Sequence, residues 1–317
     1  MLELFFANVG DGDAALIREI SDGETRMTVL VDAGRPFVEP AKTSLRKDAA
    51  DHLIKQGVRR IDRMILTHLH IDHVGGAQRI LNMIPVTSLS ALYLPPEDAG
   101  YVAPDYFNSD KPRNGLRLML NLFRETLQTA AEKGCRQEVI PEEKIRLTDK
   151  LSMNVYLPRQ EITERQKEVF DDLYRGRAVD PDLLYRISKE RNLSSLMVGF
   201  SYAGRRVLIA GDRYAADWEE IWTEPCDILK LPHHGDEKAM TEKLLKTLSP
   251  QIAVISCQNQ PKKKKDRPNR EVLELLQAEV PQVICTENRR MRTLKAATHN
   301  GIRVIIEEDG SMSCRTE

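Results

Sequence analysis

The feature that most constrains this chain is a dense group of side chains that commonly bind metals. Three histidines and an aspartate fall within six residues: His68, His70, Asp72 and His73. They follow the apolar run Ile61–Leu66, which predicts a buried strand, and they precede Gly75-Gly76, where a helix is expected to begin. Alternate side chains of an extended segment point the same way, so His68 and His70 can face one ion. Asp72 and His73 lie further round the turn and can face a second ion about 3.5–4 Å away.

Two later segments carry further candidate ligands. Asp212 follows Gly211 at the predicted end of a strand, where its carboxylate is expected to bridge two metal ions. His233 and His234 follow another predicted strand. We expect His233 to complete the metal shell. His234 is expected to polarise the oxygen of a bound substrate or to protonate a leaving group, but the sequence alone does not decide which histidine has which role.

The donor types narrow the choice of cofactor. Imidazole nitrogen combined with carboxylate oxygen suits zinc, with manganese or iron as alternatives. The sequence therefore predicts two divalent metal ions, with Zn²⁺ preferred and Mn²⁺ as the second choice. Asp72 is expected both to bind metal and to orient the attacking water.

The pattern of predicted strands and helices indicates one large α/β domain over residues 1–317, with two packed sheets covered by helices. Two helical blocks, at about 97–138 and 158–191, are predicted to be insertions that either lie beside the active-site face or cover apolar sheet surface. A further helix is expected over Tyr214–Trp222. The chain is 41% hydrophobic and 30% charged, which is typical of a globular enzyme.

Charge and cysteine content exclude several classes of protein. The net charge of −1 gives no signal for nucleic-acid binding by the chain as a whole, so any such signal must be local. Five scattered cysteines without a Cys-x-x-Cys pair favour reduced thiols in the cytoplasm. The short apolar N-terminus does not resemble a secretion signal, and no stretch has the length of a membrane span.

Together, the motifs resemble the metallo-β-lactamase superfamily. The resemblance rests on His68-x-His70-x-Asp72-His73, Gly211-Asp212 and His233-His234-Gly235. The segments Asn8–Ala14, Val31–Gly34 and Leu229–Gly235 are similar to the ComEC-type branch, which includes the hydrolase domain of DNA-uptake proteins.

The resemblance implies a four-layer αββα sandwich with the metals at one edge. It also implies that His68 and His70 bind one metal, that Asp72 and His73 bind the other, and that Asp212 lies between them. Many members carry a further histidine where this chain has Asn192, and ComEC-type chains often have His-Pro where this one has Arg267-Pro268. An arginine there can hold a phosphate but cannot shuttle protons.

These observations predict a hydrolase that uses a metal-activated water, with a phosphodiester as the preferred substrate, in a nucleic acid, a nucleotide or a phosphorylated headgroup. Lys262–Lys265 and Arg289-Arg290 are local basic clusters that can contact phosphates. The candidate substrate contacts are Asn192, Arg267 and Lys264. A hydrolase of carboxylic esters, thioesters or lactones, and a non-catalytic metal-binding scaffold, are the alternatives. No membrane partner is expected, and the oligomeric state is left open.

Overall fold

Two β-sheets pack face to face, and helices cover both outer faces. The computed structural model describes residues 1–39, 44–104, 111–258, 267–288 and 297–317. The strands are β1 Leu2–Ala7, β2 Ala15–Ser21, β3 Glu24–Val31, β4 Ile61–Leu66, β5 Val86–Ala91, β6 Arg136–Val139, β7 Lys144–Arg146, β8 Ser152–Tyr156, β9 Met197–Tyr202, β10 Arg205–Ile209, β11 Ile228–Lys230, β12 Ile252–Ile255, β13 Gln282–Cys285, β14 Glu287–Asn288, β15 Ala297–Thr298, β16 Gly301–Ile306 and β17 Met312–Thr316. The helices are α1 Ala49–Lys55, α2 Ile71–Val74, α3 Ala77–Met83, α4 Lys111–Glu132, α5 Gln160–Tyr174, α6 Pro181–Lys189, α7 Glu242–Leu248 and α8 Arg270–Glu279.

The two large sheets differ in strand order. The first runs β17-β16-β1-β2-β3-β4-β5-β6, and the second runs β13-β12-β11-β10-β9-β8-β7. Strands β3 to β6 pair in parallel, and so do β10 to β13, whereas the remaining pairs in these sheets are antiparallel. Loops that leave the carboxyl ends of the parallel strands therefore meet at one edge of the sandwich.

Both faces of the strands are buried, and this fixes the layer order. In β1, Leu2, Leu4 and Phe6 belong to the core between the sheets, while Phe5 and Ala7 belong to the core under the helices. This period of two is what an extended strand requires. A third core lies between the second sheet and helices α7 and α8. The predicted αββα sandwich is confirmed.

The two helical blocks cover the first sheet. Leu116 and Phe123 of α4, Phe170 of α5 and Ile187 of α6 are all buried in the core that this sheet shares with its helices. Helix α6 also leads into a 3₁₀ turn, Arg191–Ser194, in which Asn192 Nδ2 lies 3.2 Å from the candidate ligand atom His233 Nε2. The blocks therefore pack on apolar surface, and the second block also reaches the site. That they are insertions in a single domain stays a prediction.

One predicted helix is wrong. The segment Tyr214–Trp222 contains only a 3₁₀ turn, Ala215–Asp217. The Ala215 amide donates a hydrogen bond to the distant Lys238 carbonyl at 2.9 Å, and the buried Trp218 ring meets the Trp222 ring edge-on at 5.2 Å. Tertiary packing outweighs the local helical preference here.

Within the described part of the chain, no helix combines the length and the apolarity needed to cross a bilayer.

Candidate metal centre

The histidine loop leaves the end of β4 and is held by the end of β3. Asp32 follows β3 in a left-handed conformation (φ 62°) and is fully buried. Its two carboxylate oxygens accept hydrogen bonds from the Thr67 amide and the Thr67 hydroxyl, both at 2.8 Å. These bonds position the first residue of the loop that carries His68, His70, Asp72 and His73.

Three overlapping sets of donor atoms converge at this edge. Each set could hold a metal ion, with its donor atoms within 4.8 Å of one another: His68, His70 and Asp212; Asp72, His73 and His234; and Asp13, His73 and Asp212. His68 Nε2 lies 2.9 Å from His70 Nδ1 and 3.7 Å from Asp212 Oδ2. His73 Nε2 lies 3.2 Å from Asp212 Oδ1. Asp212 therefore faces both histidine groups, as a bridging ligand would.

The buried polar atoms of this cluster fit a cation. His73 Nε2, His234 Nε2 and Asp212 Oδ1 are buried and make no hydrogen bond with the residues described. Buried polar atoms nearly always have a partner, so several that converge on one point indicate a site for an ion. Imidazole and carboxylate together match zinc or a similar divalent metal.

Hydrogen bonds at the other ring nitrogens orient two of these histidines. His73 Nδ1 donates to Asp32 Oδ2 at 2.7 Å, and His234 Nδ1 donates to the Ser256 carbonyl at 3.0 Å. The proton is thereby placed on Nδ1 in each ring, and the Nε2 lone pair is directed into the cluster. His234 Nε2 lies 3.6 Å from Asp72 Oδ2.

His233 has a different environment from His234. Its Nε2 atom accepts hydrogen bonds from Arg267 Nη2 at 2.7 Å and from Asn192 Nδ2 at 3.2 Å. Burial and the Arg267 charge lower the pKa of His233 to about 4, so the ring is neutral at pH 7. The geometry thus favours His234 as a metal donor and gives His233 hydrogen-bonding partners instead, the reverse of the roles expected from sequence.

Asn192 and Arg267, both expected to contact substrate, lie at the site beside His233. Asn192 Nδ2 also lies 3.1 Å from the Tyr214 hydroxyl, and Asn192 Oδ1 is buried without a hydrogen-bond partner among the described residues. Arg267 Nε donates to Asp236 Oδ2 at 3.3 Å. Lys264 and the two basic clusters lie outside the described residues.

A glycine brings Asp212 to its position. Gly211 has φ 53°, and a Cβ atom there would lie 2.2 Å from Ser195 Oγ. That close approach lets the Ser195 hydroxyl accept a hydrogen bond from the Asp212 amide at 3.0 Å. The turn after β10 thereby points the Asp212 carboxylate at the histidines.

The charges within the cluster are strongly coupled. Burial alone would lower the pKa of His73, but Asp212 and Asp32 raise it well above its usual range. Burial would likewise raise the pKa of Asp212, yet His73 and His234 hold it well below its usual range. The Asp212 carboxylate is therefore ionised at neutral pH, and a metal ion bound at the cluster would replace the proton on His73 Nε2.

Two residues of the centre were not identified as site residues from sequence. The Asp13 carboxylate lies 3.8 Å from His73 Nδ1 and 3.7 Å from His234 Nδ1, and it also forms an ion pair with the fully buried Lys230. This pair joins the loop after β1 to strand β11 and so links the two sheets under the cluster. The available signal was the position of both residues within the motifs Asn8–Ala14 and Leu229–Gly235.

Comparison with known proteins identifies the family. A family model described as the metallo-beta-lactamase superfamily matches residues 7–258. The chain belongs to this superfamily. Membership together with the His/Asp cluster supports a metal-dependent hydrolase.

The chain is also similar to individual proteins. It is 24% identical over 298 residues to ComE operon protein 3 of Bacillus subtilis (strain 168), a match that covers 90% of this chain and 32% of that protein. The chain therefore spans about a third of the length of that relative. Among solved structures, it is similar to the metallo-beta-lactamase fold protein YhfI of Bacillus subtilis (8% identity, TM-score 0.50, 90% and 96% of the two chains covered). It is also similar to an isothiocyanate hydrolase from Delia radicum gut bacteria (13% identity, TM-score 0.45, 94% and 100% covered). At these identities the likeness to YhfI concerns the fold alone.

Proposed function

We propose that this protein hydrolyses phosphodiester bonds with two divalent metal ions, Zn²⁺ preferred and Mn²⁺ as the alternative. The observation that carries the proposal is the convergence of His68, His70, Asp72, His73 and His234 on Asp212, with several buried donor atoms left without hydrogen bonds. When bound, the ions would lower the pKa of a coordinated water toward ~7 and stabilise negative charge on the reacting phosphoryl group.

In this proposal the residues divide into two metal positions. His68 and His70 would hold the first ion, Asp72, His73 and His234 would hold the second, and Asp212 would be available to both. Asp72 keeps the role of orienting the attacking water that its sequence position suggested. His234, expected from sequence to be catalytic, becomes a ligand, because its Nδ1 donates to Ser256 and its Nε2 faces Asp72.

His233, Arg267 and Asn192 form the substrate side of the site. His233 accepts hydrogen bonds from the other two residues, so it holds the Arg267 guanidinium and the Asn192 amide beside the cluster. Arg267 can then bind a non-bridging phosphate oxygen or stabilise a leaving oxygen. His233 is thus a positioning residue in this proposal rather than a metal ligand.

A nucleic acid is the preferred form of the substrate. The support is the resemblance to the ComEC-type branch and the basic clusters Lys262–Lys265 and Arg289-Arg290 in the sequence. Lysines and arginines that contact successive phosphates make binding strongly dependent on salt. A membrane partner is not part of the proposal.

The test measures metal content by elemental analysis together with turnover of bis-p-nitrophenyl phosphate, with added Zn²⁺ or Mn²⁺. The wild-type protein should bind metal and hydrolyse the diester, and Asp212→Ala should lose both properties. Glu242→Gln, an exposed change on α7, is the matched control and should behave as the wild type. Metal binding without hydrolysis would contradict the phosphodiester assignment and favour an ester or lactone substrate, or a scaffold.

A further inference from the structure

The residues before β9 and after β10 lie against each other, because the two strands pair antiparallel with Val198 opposite Ile209. Ser195 is fully buried at this junction. Its hydroxyl accepts the hydrogen bond from the Asp212 amide at 3.0 Å, and its carbonyl accepts one from Arg213 Nε at 3.1 Å. Two consecutive residues after β10, one of them a candidate metal ligand, are therefore attached to one serine.

The next residue along the chain attaches the same segment to the first sheet. The Leu196 amide donates to the Thr67 carbonyl at 3.0 Å, and Thr67 begins the loop that carries the clustered histidines. Asp32 in turn holds the amide and the hydroxyl of Thr67. Ser195 and Leu196 thus join the histidine loop, which follows a strand of the first sheet, to Asp212, which follows a strand of the second.

The turn that carries His234 is bonded to the same junction. The His233 amide donates to the Gly211 carbonyl at 3.1 Å. A Cβ atom on Gly211 would lie 2.2 Å from Ser195 Oγ and 3.4 Å from Thr67 Cβ, so the backbone segments meet there with no room for a side chain. In so closely packed a junction, a shift of Ser195 changes the relative positions of the segments that supply the candidate ligands.

Arg213 is a buried cation whose charge is not neutralised by an ion pair. It is 3% exposed, and no carboxylate in the described ranges lies within 4.0 Å of its guanidinium. Its Nη2 atom is buried and makes no hydrogen bond with a described residue. Burial of an unpaired charge destabilises a folded protein, so stability alone would favour a neutral side chain of similar size here. What the guanidinium does provide is a charge-assisted hydrogen bond to the Ser195 carbonyl.

We propose that Arg213 is a positioning residue for Asp212. It fixes the main chain of Ser195, and thereby the distance between the Asp212 carboxylate and the histidine loop. The inference rests on the metal centre of the proposed function and adds to it a residue that would touch neither metal nor substrate. Its role is to keep the donors from the two sheets at the spacing that metal binding needs.

The experiment measures zinc affinity and fold stability separately on the purified full chain. Zinc affinity is measured by competition with a chromogenic chelator, and stability by denaturant unfolding in excess EDTA, where no metal contributes. Arg213→Met keeps the aliphatic stem and removes the donor, whereas Arg213→Lys keeps a charged donor. Arg205→Met is the matched control, because Arg205 lies at the other end of β10 and its Nε also donates to a main-chain carbonyl, that of Gly310, at 2.7 Å.

Arg213→Met should bind zinc roughly tenfold more weakly than wild type, as expected for the loss of a group that orients a metal ligand. Its unfolding free energy in EDTA should not fall by a comparable amount, because the substitution also removes a buried charge. Arg213→Lys should recover part of the zinc affinity, and Arg205→Met should bind zinc as wild type does. Ser195→Ala, which removes the acceptor for the Asp212 amide, should also weaken zinc binding and tests the same link if Arg213→Met does not fold.

Unchanged zinc affinity in Arg213→Met, or in Ser195→Ala, would overturn the proposal. So would a loss of zinc affinity matched by an equal loss of unfolding free energy in EDTA, since that is the result of a purely structural role. A wild-type protein that binds no zinc would overturn both this proposal and the proposed function. If zinc affinity depends on Arg213 but wild type does not hydrolyse bis-p-nitrophenyl phosphate, the positioning role stands and the proposed reaction fails.

Discussion

Asp32 accepts a hydrogen bond from His73 Nδ1 at 2.7 Å, although the two residues are 41 positions apart in the chain. The same oxygen of Asp32 also accepts a hydrogen bond from the Thr67 hydroxyl. One buried carboxylate therefore fixes both the start of the histidine loop and the ring orientation of a candidate metal donor within it. Orienting partners of this kind strongly affect metal affinity.

Replacing Asp32 by asparagine should weaken metal binding about 10–100-fold. The amide nitrogen would face one of the donors that the carboxylate now accepts from, so His73 would lose its orientation. Asparagine tolerates the left-handed backbone at this position, so the fold should survive. Competition with a chromogenic zinc chelator measures the change, and circular dichroism checks the fold. Unchanged zinc affinity would show that Asp32 is not needed to orient His73.

The two adjacent histidines should respond differently to alanine substitution. His234→Ala should lower the amount of bound metal, because its Nε2 faces Asp72 and Asp212 at 3.6 and 4.0 Å. His233→Ala should keep the metal and lose turnover, since it releases Arg267 and Asn192. Elemental analysis and diester hydrolysis on both variants separate the two roles. Loss of metal in His233→Ala with full metal in His234→Ala would restore the assignment expected from sequence.

Gly211→Ala should destabilise the protein by more than about 2 kcal/mol. The new Cβ would lie 2.2 Å from Ser195 Oγ and 2.9 Å from the Leu196 carbonyl, at a φ of 53°. Gly204→Ala is the control, since Gly204 also has positive φ (76°) but a Cβ there meets nothing within 4 Å. The control should cost only about 1 kcal/mol, from the left-handed backbone alone. Denaturant unfolding measures both, and equal losses would mean that the contact with Ser195 is unimportant.

The buried His52 should make stability depend on pH away from the metal centre. Burial lowers its pKa from 6.5 to about 4 in the folded protein, where its Nε2 donates to the Asn8 carbonyl at 2.9 Å. Between these values the unfolded chain binds a proton that the folded chain does not. Stability is therefore full above pH 6.5 and falls as the pH drops toward 4.

The expected loss from this one group between pH 7 and pH 5 is about 2 kcal/mol. Unfolding free energies of wild type and His52→Gln, measured in chelator at both pH values, isolate its contribution from that of the other histidines. The glutamine variant should have the smaller decrease on acidification. Equal decreases in the two proteins would mean that the pKa of His52 is not lowered in the folded protein.

Much of the centre was predictable because its donors lie in short segments. His68, His70, Asp72 and His73 are neighbours in the chain, and a strand followed by a loop must place them together. Short apolar runs likewise predict strands such as β4 and β9, since both of their faces are buried. The αββα layering followed from that pattern and from the family resemblance.

Other features could not be predicted because they depend on contacts between distant segments. The helix predicted over Tyr214–Trp222, which does not form, is one case. Its backbone is hydrogen-bonded to the Lys238 carbonyl, and its two tryptophan rings pack against each other. The strand Met312–Thr316 is another, since it is defined by pairing with β16 and not by its mixed polar sequence.

The sequence by itself determined which residues can bind metal and the strand ends from which they project, because donor chemistry and strand periodicity are local properties. Only the tertiary structure distinguishes the surroundings of His233 and His234, which hydrogen-bond to Arg267 and to the Ser256 carbonyl from other loops. The same holds for the Asp13–Lys230 pair and for the position of Arg213. A hydrogen bond or ion pair requires two groups within a few ångströms, and for groups far apart in the chain that proximity exists only once the sheets have packed.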